Sequence, residues 1–251
     1  MSPFRAVLFD FFGTLTEAVR RGPAHARIAR DLGCDPPAMT AALDATFRER
    51  ARGAYGDELR ALRAVCRLAG GAPSDAALAA ALPARRAAMS ADLRLRPDAV
   101  ATLAEVRGRG LRTGLVSDCA YELPVLLPGL PVAPLLEACV YSVHVGRCKP
   151  DPAIFLAACA RLRVAPRECL YVGDGGGREL TGATALGMTA VRLAAPDLAG
   201  HLVFAPDDFA GPAVDRLGAV PALLDRAAAG GAARPGVARP RPPRPRAALP
   251  A

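Results

Sequence analysis

Several polar side chains in this sequence directly follow short apolar runs, and most of them are acidic. They are Asp10, Ser117, Asp118, Asp174 and, after three glycines and an arginine, Glu179. Clustered carboxylates repel each other unless a cation lies among them, and a site rich in oxygen ligands favours Mg²⁺. If the fold brings these residues together, their chemistry is that of a carboxylate site for a hard cation, with a serine hydroxyl beside it.

Lys149 is the single lysine of a chain whose 32 basic residues are otherwise all arginine. Arginine carries a wide planar fork, whereas the lysine ammonium is a compact charge that fits between two close anionic groups. The lone lysine therefore marks a position that arginine could not fill, or it is a surface lysine retained by chance. The count alone leaves both interpretations open.

Five apolar runs predict the strands that position these residues. They are AVLF (6–9), TGLV (113–116), CVYSV (139–143), LYV (170–172) and TAVRL (189–193). Continuous apolar runs are typical of strands that are buried on both faces of a parallel sheet. Helical spacing over 152–162 and 180–186 alternates with the later strands, which predicts a doubly wound α/β sheet. Ligands bind such sheets at the carboxyl ends of the strands, where the polar residues stand.

The segment between the first two strands, 16–95, contains no strand-like run. Its amphipathic patterns predict helices over 25–32, 37–50, 57–68 and 74–89. About eighty residues exceed a normal crossover connection, so we expect an inserted α-helical cap. The predicted domains are a core of 1–15 and 96–230, a cap of 16–95 and a tail of 231–251.

The cap carries no motif that identifies a ligand. Its arginines at 48, 50, 52, 60 and 63 are predicted to form mainly a solvated face, with one or two reaching an anionic substrate. His25 has no partner that the sequence suggests. Cys119 and Cys148 flank Ser117 and Lys149, and we expect both to be small buried apolar side chains.

The formal net charge of +8 is concentrated at the end of the chain. Residues 231–251 contain five arginines and no acid, and the chain without them carries +3. A Pro/Arg tract cannot bury enough apolar surface to fold, so a disordered tail is predicted, with a polyanion-binding arm as the alternative. Apart from this tail, no segment of the sequence predicts a nucleic-acid partner.

The cysteines and the apolar segments bear on location. Seven cysteines form no Cys-x-x-Cys pair, which favours a reducing compartment and offers no zinc site. The N-terminus lacks the layout of a signal peptide. The longest uncharged stretch, 123–136, contains four prolines and is too short to cross a bilayer. We therefore expect a cytoplasmic protein with no membrane partner.

Four ordered motifs give the sequence a family resemblance. FDFFGTL (9–15), LVSD (115–118), Lys149-Pro150 and VGDGGGREL (172–180) resemble the haloacid dehalogenase superfamily of hydrolases. The resemblance covers roughly 1–15 and 96–200, and the helical segment stands where the first cap type of that family is inserted. It implies a Rossmann-like core of the haloacid dehalogenase type with a helical cap.

The resemblance also implies an activity and a set of roles. The activity is magnesium-dependent hydrolysis of a small phosphorylated metabolite through an aspartyl-phosphate intermediate. Asp10 would be the nucleophile, Ser117 would bind a phosphoryl oxygen, and Lys149 would bridge that oxygen and Asp10. The implied Mg²⁺ ligands are Asp10, the main-chain carbonyl of Phe12, Asp174 and, directly or through water, Glu179.

Three residues depart from the family pattern. Phe12 stands where phosphatases carry the aspartate that acts as general acid and base, so the leaving-group proton must come from water or another side chain. Glu179 replaces the commoner aspartate with a longer side chain. Asp118 replaces an amide.

These departures leave two other functions open. The dehalogenases of the family also lack the second aspartate, so Phe12 favours 2-haloacid dehalogenation. However, dehalogenases need no metal, and Asp118 and Asp174 would repel a carboxylate substrate. A binding or regulatory protein that has lost catalysis is the other alternative.

Overall fold

A parallel sheet forms the centre of this computed structural model, which describes residues 3–199 and 204–229. The strands are β1 (Ala6–Phe9), β2 (Arg112–Ser117), β3 (Ala138–Tyr141), β4 (Cys169–Gly173), β5 (Thr189–Leu193) and β6 (Ala213–Val214). Their order is β3-β2-β1-β4-β5-β6, and every neighbouring pair is parallel. The predicted doubly wound α/β fold is confirmed.

The five predicted strands are present, with one error at the end of β3. Strands β1 and β5 have the predicted bounds, and β2 and β4 are longer by one residue at each end. The prediction of strand over 142–143 was wrong, because these residues begin a short helix. The Ser142 hydroxyl accepts a hydrogen bond from the Cys119 N–H at 2.9 Å and donates to the Cys119 carbonyl at 3.2 Å. These two hydrogen bonds turn the chain out of the sheet after Tyr141.

Helices cover both faces of the sheet and fill the segment between β1 and β2. The α-helices of the described residues are α1 (Pro23–Asp31), α2 (Pro36–Ala45), α3 (Phe47–Ala51), α4 (Glu58–Leu68), α5 (Asp75–Asp92), α6 (Ala99–Gly108), α7 (Glu122–Leu126), α8 (Ser142–Val145), α9 (Pro152–Leu162), α10 (Glu179–Ala185) and α11 (Val220–Ala229). Because successive residues of a strand point to opposite faces, Val7 and Phe9 of β1 pack toward α6 and α11. Ala6 and Leu8 pack toward α9 and α10 on the other face.

The helices α1, α2, α4 and α5 pack around an apolar cluster of their own, separate from the two clusters of the sheet. We call residues 16–95 the helical insert. Its two connections to the sheet lie side by side, with Thr16 and Leu95 forming an antiparallel bridge. The division into core and cap predicted from the sequence stays a prediction, and its boundaries fall at this bridge.

One predicted helix of the insert is two helices in the structure. The pattern over 37–50 predicted a single helix, but α2 ends at Ala45 and α3 begins at Phe47. Thr46 separates them, because its hydroxyl donates to the Ala42 carbonyl at 2.7 Å and accepts from Arg50 Nε at 3.2 Å. Side-chain bonds of this kind compete with the helical ladder and bend helices.

No helix among residues 3–199 and 204–229 is long and apolar enough to cross a membrane. The predicted tail, 231–251, lies outside the described residues.

Candidate active site

The carboxyl ends of β1, β2 and β4 bring the predicted site residues together. Asp10 follows β1, Ser117 ends β2, and Asp174 follows β4. Parallel pairing of β1 with both neighbours aligns these three ends on one edge of the sheet. Lys149 reaches the same edge from the loop between α8 and α9.

Lys149 is the centre of a buried hydrogen-bonded network. Its ammonium donates to Asp10 Oδ1 at 2.6 Å and to Glu179 Oε2 at 2.5 Å, and the Tyr171 hydroxyl lies 3.5 Å away. Only 3% of the lysine side chain is exposed. Burial alone would lower the pKa of Lys149, but attraction to Asp10 and Glu179 outweighs it and raises that pKa well above its usual value. The ammonium is therefore held charged between two carboxylates.

Asp10 is held at both carboxylate oxygens. Oδ1 accepts from Lys149, and Oδ2 accepts from the Thr14 hydroxyl at 3.2 Å. Burial raises the pKa of Asp10 to about 6, and the attraction of Lys149 limits this rise while Asp174 adds to it. The bonds to Lys149 and Thr14 fix the orientation of the Asp10 carboxylate at the sheet edge.

Three carboxylates face the single ammonium of this network. Asp10, Asp174 and Glu179 each offer an oxygen, and these oxygens lie within 4.8 Å of one another. One ammonium cannot balance three carboxylates, so a divalent cation with oxygen preference fits the donor set. Glu179 is the most heavily engaged of the three, because it accepts from Lys149, from the Tyr171 hydroxyl at 2.8 Å and from the Gly175 N–H at 2.9 Å.

Ser117 and Asp118 occupy the end of β2. The Ser117 hydroxyl is fully buried and has no hydrogen-bond partner among the described residues. A buried hydroxyl without a partner is unfavourable, and a ligand that accepts its proton would satisfy it. Asp118 Oδ1 accepts the main-chain N–H of Lys149 at 3.0 Å, so its carboxylate helps to position the lysine.

The loop after β1 is shaped by a glycine and fixed by an arginine. Gly13 has φ of +76°, and a Cβ at this position would lie 2.5 Å from Asp174 Oδ2, so both conformation and space require glycine. Arg96 donates to the carbonyls of Gly13 at 2.8 Å and Thr14 at 3.0 Å, and it pairs with Asp197 at 2.8 Å. Phe12, on the same loop, packs against Phe11 and supplies no group that could transfer a proton.

A cavity of about 540 Å³ lies between this sheet edge and the helical insert. The core contributes Asp10, Asp118, Lys149 and Asp174, and the insert contributes apolar side chains together with arginines. Phe47 of α3 and Phe204 of the core also line it, and their rings stack with centroids 4.3 Å apart. The insert therefore closes over the site and can contact any ligand held at the sheet edge.

The prediction that the arginines of the insert form mainly a solvated face was wrong for Arg50. This side chain is buried, and it donates to the Leu43 carbonyl at 2.7 Å. Burial lowers the pKa of Arg50 to about 10. Arg48 also lines the cavity, and its side chain has no hydrogen bond or ion pair to any described residue; it acts on Asp118 only through space. Arg48 therefore offers a free cation to a ligand.

His25 has a partner, contrary to the prediction. Its Nε2 lies 2.8 Å from Asp92 Oδ2, and 18% of the histidine side chain and 13% of the aspartate side chain are exposed. Both residues line the cavity. The two residues are 67 positions apart, so no local pattern could have joined them. Cys119 and Cys148 are buried as predicted.

Sequence reasoning missed three residues that hold the site. They are Thr14, Tyr171 and Arg96. The one signal for Tyr171 was its polar hydroxyl within the apolar run LYV. A hydroxyl in a buried strand is unfavourable unless it forms a hydrogen bond, so its presence indicated a partner. The signal for Arg96 was weaker, because an arginine after a predicted cap is usual on a surface.

A family model describes residues 4–187 as a haloacid dehalogenase-like hydrolase. The chain is 31% identical to the glyceraldehyde 3-phosphate phosphatase of Methanopyrus kandleri over 196 residues, which is 75% of this chain and 83% of that one. It is also 32% identical to (S)-2-haloacid dehalogenase 1 of a Pseudomonas species, over 46% of this chain and 51% of that one. The protein belongs to the haloacid dehalogenase-like hydrolases.

Solved structures agree with this fold. A phosphatase of the family from Thermococcus onnurineus matches with a TM-score of 0.60 at 22% identity, covering 88% of this chain and 98% of that one. The L-2-haloacid dehalogenase from Xanthobacter autotrophicus matches with a TM-score of 0.62 at 24% identity and the same coverage. At these identities the likeness shows the fold, which phosphatases and dehalogenases share.

Proposed function

We propose that this hydrolase removes the phosphate from a small phosphorylated metabolite, using Asp10 as nucleophile and Mg²⁺ as cofactor. The observation that carries the proposal is the set of three close carboxylates, two of them buried and bonded to one ammonium, at the sheet edge where the buried Ser117 hydroxyl has no partner among the described residues. A phosphoryl group brings negative oxygens that need donors and a cation. Lys149, Ser117 and a bound Mg²⁺ would supply them.

In the proposed reaction an oxygen of Asp10 attacks phosphorus, and the bond from phosphorus to the leaving oxygen breaks. Lys149 holds the attacking carboxylate in place, and Ser117 donates to a phosphoryl oxygen. Water then attacks the phosphorus of the aspartyl-phosphate, which releases inorganic phosphate and restores Asp10. Mg²⁺, held by Asp10, Asp174 and the Phe12 carbonyl, would offset the charge of the phosphoryl oxygens. Glu179 would act mainly through Lys149.

The relatives support a phosphorylated substrate. The phosphatase from Methanopyrus kandleri covers most of the chain at 31% identity, whereas the dehalogenase match covers about half of it. The cavity is sized for a small metabolite, and the cationic Arg48 in its wall suits a substrate with an anionic group beyond the phosphate.

A phosphate-release screen tests the proposal. Small phosphate esters and acyl phosphates are incubated with the wild type and with Asp10→Asn, in Mg²⁺ and in EDTA. We expect release that needs both Asp10 and Mg²⁺. Release that survives in Asp10→Asn would contradict the assignment of the nucleophile.

The dehalogenase alternative rests on Phe12 and is tested by chloride release from 2-chloropropionate. Asp118 and Asp174 face the cavity, and a carboxylate substrate would be repelled there. We expect no chloride release. A protein that binds Mg²⁺ and phosphate esters but turns over neither class would instead be a binding protein.

A further inference from the structure

The replacement of the usual acid by Phe12 leaves the leaving group without an assigned proton donor. An alkoxide is a poor leaving group, and a positioned acid is typically worth about 10²–10⁴ in rate. Phosphoryl transfer places the attacking and leaving oxygens roughly in line across phosphorus. Because Asp10 attacks from the sheet edge, the leaving oxygen faces the opposite wall of the cavity. That wall is the helical insert.

The side chains of this wall leave few donors to consider. Among the described residues, the insert lines the cavity with apolar side chains, one threonine, four arginines, His25 and Asp92. A guanidinium does not give up its proton near neutral pH, and a threonine hydroxyl is a weaker acid still. An imidazole ring can both donate and accept a proton, so His25 is the side chain of this wall that can serve as acid and base.

Three contacts hold His25 and Asp92 in place. Asp92 Oδ2 bonds to His25 Nε2 at 2.8 Å and also accepts the Gly22 N–H at 3.0 Å, which ties the start of α1 to the end of α5. The His25 N–H of the main chain donates to the Gly22 carbonyl at 3.3 Å. With Nε2 turned to the carboxylate, Nδ1 is the ring nitrogen with no partner among the described residues. A carboxylate on one nitrogen and a reacting group on the other is the arrangement of a general acid and base.

Asp118 is the competing carboxyl group, and its position argues against it. It follows Ser117 on the core side of the cavity, and its Oδ1 is engaged by the Lys149 N–H. A donor there lies beside the attacking carboxylate instead of opposite to it. Glu122 also lines the cavity, but it is bonded to Arg85 at 2.8 Å and held ionised.

We propose that His25 is the general acid and base of the reaction and that Asp92 is its positioning residue. This inference rests on the proposed phosphatase function. As Asp10 bonds to phosphorus, the bond to the leaving oxygen breaks, its electron pair stays on that oxygen, and the proton on His25 Nδ1 transfers to it. Neutral His25 then takes a proton from the water that attacks the aspartyl-phosphate, and the electron pair of the broken phosphorus–oxygen bond returns to Asp10. The products are an alcohol and inorganic phosphate.

The test varies the leaving group instead of asking only whether activity is lost. The kcat/KM for p-nitrophenyl phosphate, whose leaving group needs little protonation, is compared with kcat/KM for phenyl phosphate and glycerol 3-phosphate, because kcat/KM reports the steps through expulsion of the leaving group. For His25→Gln we expect kcat/KM on glycerol 3-phosphate to fall by about 10²–10⁴ while the value on p-nitrophenyl phosphate falls less than about tenfold. Asp92→Asn should shift the series in the same direction by less. The matched control is His144→Gln, because His144 is an exposed histidine outside the cavity lining.

Each outcome is informative. Equal losses of kcat/KM on all three substrates would mean that His25 is structural. Unchanged kcat/KM on all three would mean that it takes no part in expelling the leaving group. Either result overturns the inference while Asp10-dependent hydrolysis stands. If His25→Gln does not fold, Asp92→Asn carries the same comparison. Absence of Asp10-dependent release from every phosphate in the wild type would instead overturn the proposed function itself.

Discussion

The two walls of the cavity are built differently. On the sheet edge, Lys149, Asp10 and Glu179 are almost fully buried, and Lys149 bonds to the two carboxylates at 2.6 and 2.5 Å. On the insert, His25 and Asp92 are partly exposed, and Arg48 has no bonded partner among the described residues. The side chains of the sheet-edge wall are fixed by their mutual bonds, whereas those of the insert wall are open to a ligand in the cavity. This division explains why the family motifs lie on the sheet edge while the insert carries none.

The largest effect should come from breaking the sheet-edge network at Lys149. We expect Lys149→Arg to lower kcat/KM about 10³-fold, nearly as much as Lys149→Ala, because a guanidinium cannot fit between two carboxylates that are each within 2.6 Å of the ammonium. Phosphate release under single-turnover conditions measures this. An arginine variant that keeps most of the wild-type rate would mean that the lone lysine is incidental.

The two walls are joined by a buried ion pair, and breaking it should destabilise the fold. Arg85 of α5 bonds to Glu122 of α7 at 2.8 Å, with 10% and 6% of the side chains exposed. Arg85→Ala leaves a buried carboxylate without its partner and should cost about 3–5 kcal/mol of unfolding free energy. The neighbouring Arg86→Ala, which removes a more exposed pair with Glu58, should cost less than about 1 kcal/mol.

The pH dependence of the Arg85 effect follows from Glu122. Burial would raise the pKa of Glu122, but attraction and hydrogen bonding from Arg85 outweigh it and lower that pKa below its usual value. A lowered pKa stabilises the fold above the pKa of the unfolded chain, and this stabilisation is lost as the pH falls through the folded value. In Arg85→Ala burial is left to raise the pKa of Glu122, so the difference in unfolding free energy between wild type and variant, measured by denaturant unfolding, should narrow as the pH falls toward about 4.5 and should narrow further below it. A difference in unfolding free energy between wild type and Arg85→Ala that does not change with pH would contradict the assignment of this ion pair.

The Asp10 carboxylate should reduce the stability of the metal-free protein. Its pKa is raised from 3.8 to about 6, so the stabilisation from protonated Asp10 is complete below pH 3.8 and is lost as the pH rises through about 6. Metal-free Asp10→Asn should then be about as stable as wild type near pH 4 and about 3 kcal/mol more stable at pH 8. Added Mg²⁺ should reduce the difference by stabilising the wild type. A difference that does not change with pH or Mg²⁺ would contradict this account.

The smallest effect tests the insert wall. Arg48→Ala should raise KM about tenfold for a substrate with a second anionic group and leave kcat unchanged. The reason is that the guanidinium, which this variant removes, would contact the substrate equally in the ground state and in the transition state. Arg52→Ala is the control, since Arg52 is exposed and lies outside the cavity lining. A fall in kcat would assign Arg48 to the reaction instead.

The sheet-edge wall could be predicted from the sequence, and the pairing of side chains on the insert wall could not. Strand β1 and the residues Asp10, Ser117 and Asp174 were predictable, because apolar runs are local signals and parallel strands align their carboxyl ends. The His25–Asp92 pair was not, since helical periodicity shows that α1 and α5 have apolar faces without showing which polar residues meet. The helix break at Thr46 was not predictable either, because it depends on a single side-chain hydrogen bond.

Trapping the covalent intermediate tests the central claim most directly. Wild type, Asp10→Asn and His25→Gln are mixed with p-nitrophenyl phosphate and Mg²⁺, quenched in acid and digested, and the peptides are analysed by mass spectrometry. The account predicts phosphate on Asp10 in the wild type and in His25→Gln, where the intermediate should accumulate because water is no longer activated, and none in Asp10→Asn. Phosphate on another residue, or Asp10-independent release with no phosphorylated peptide, would contradict it.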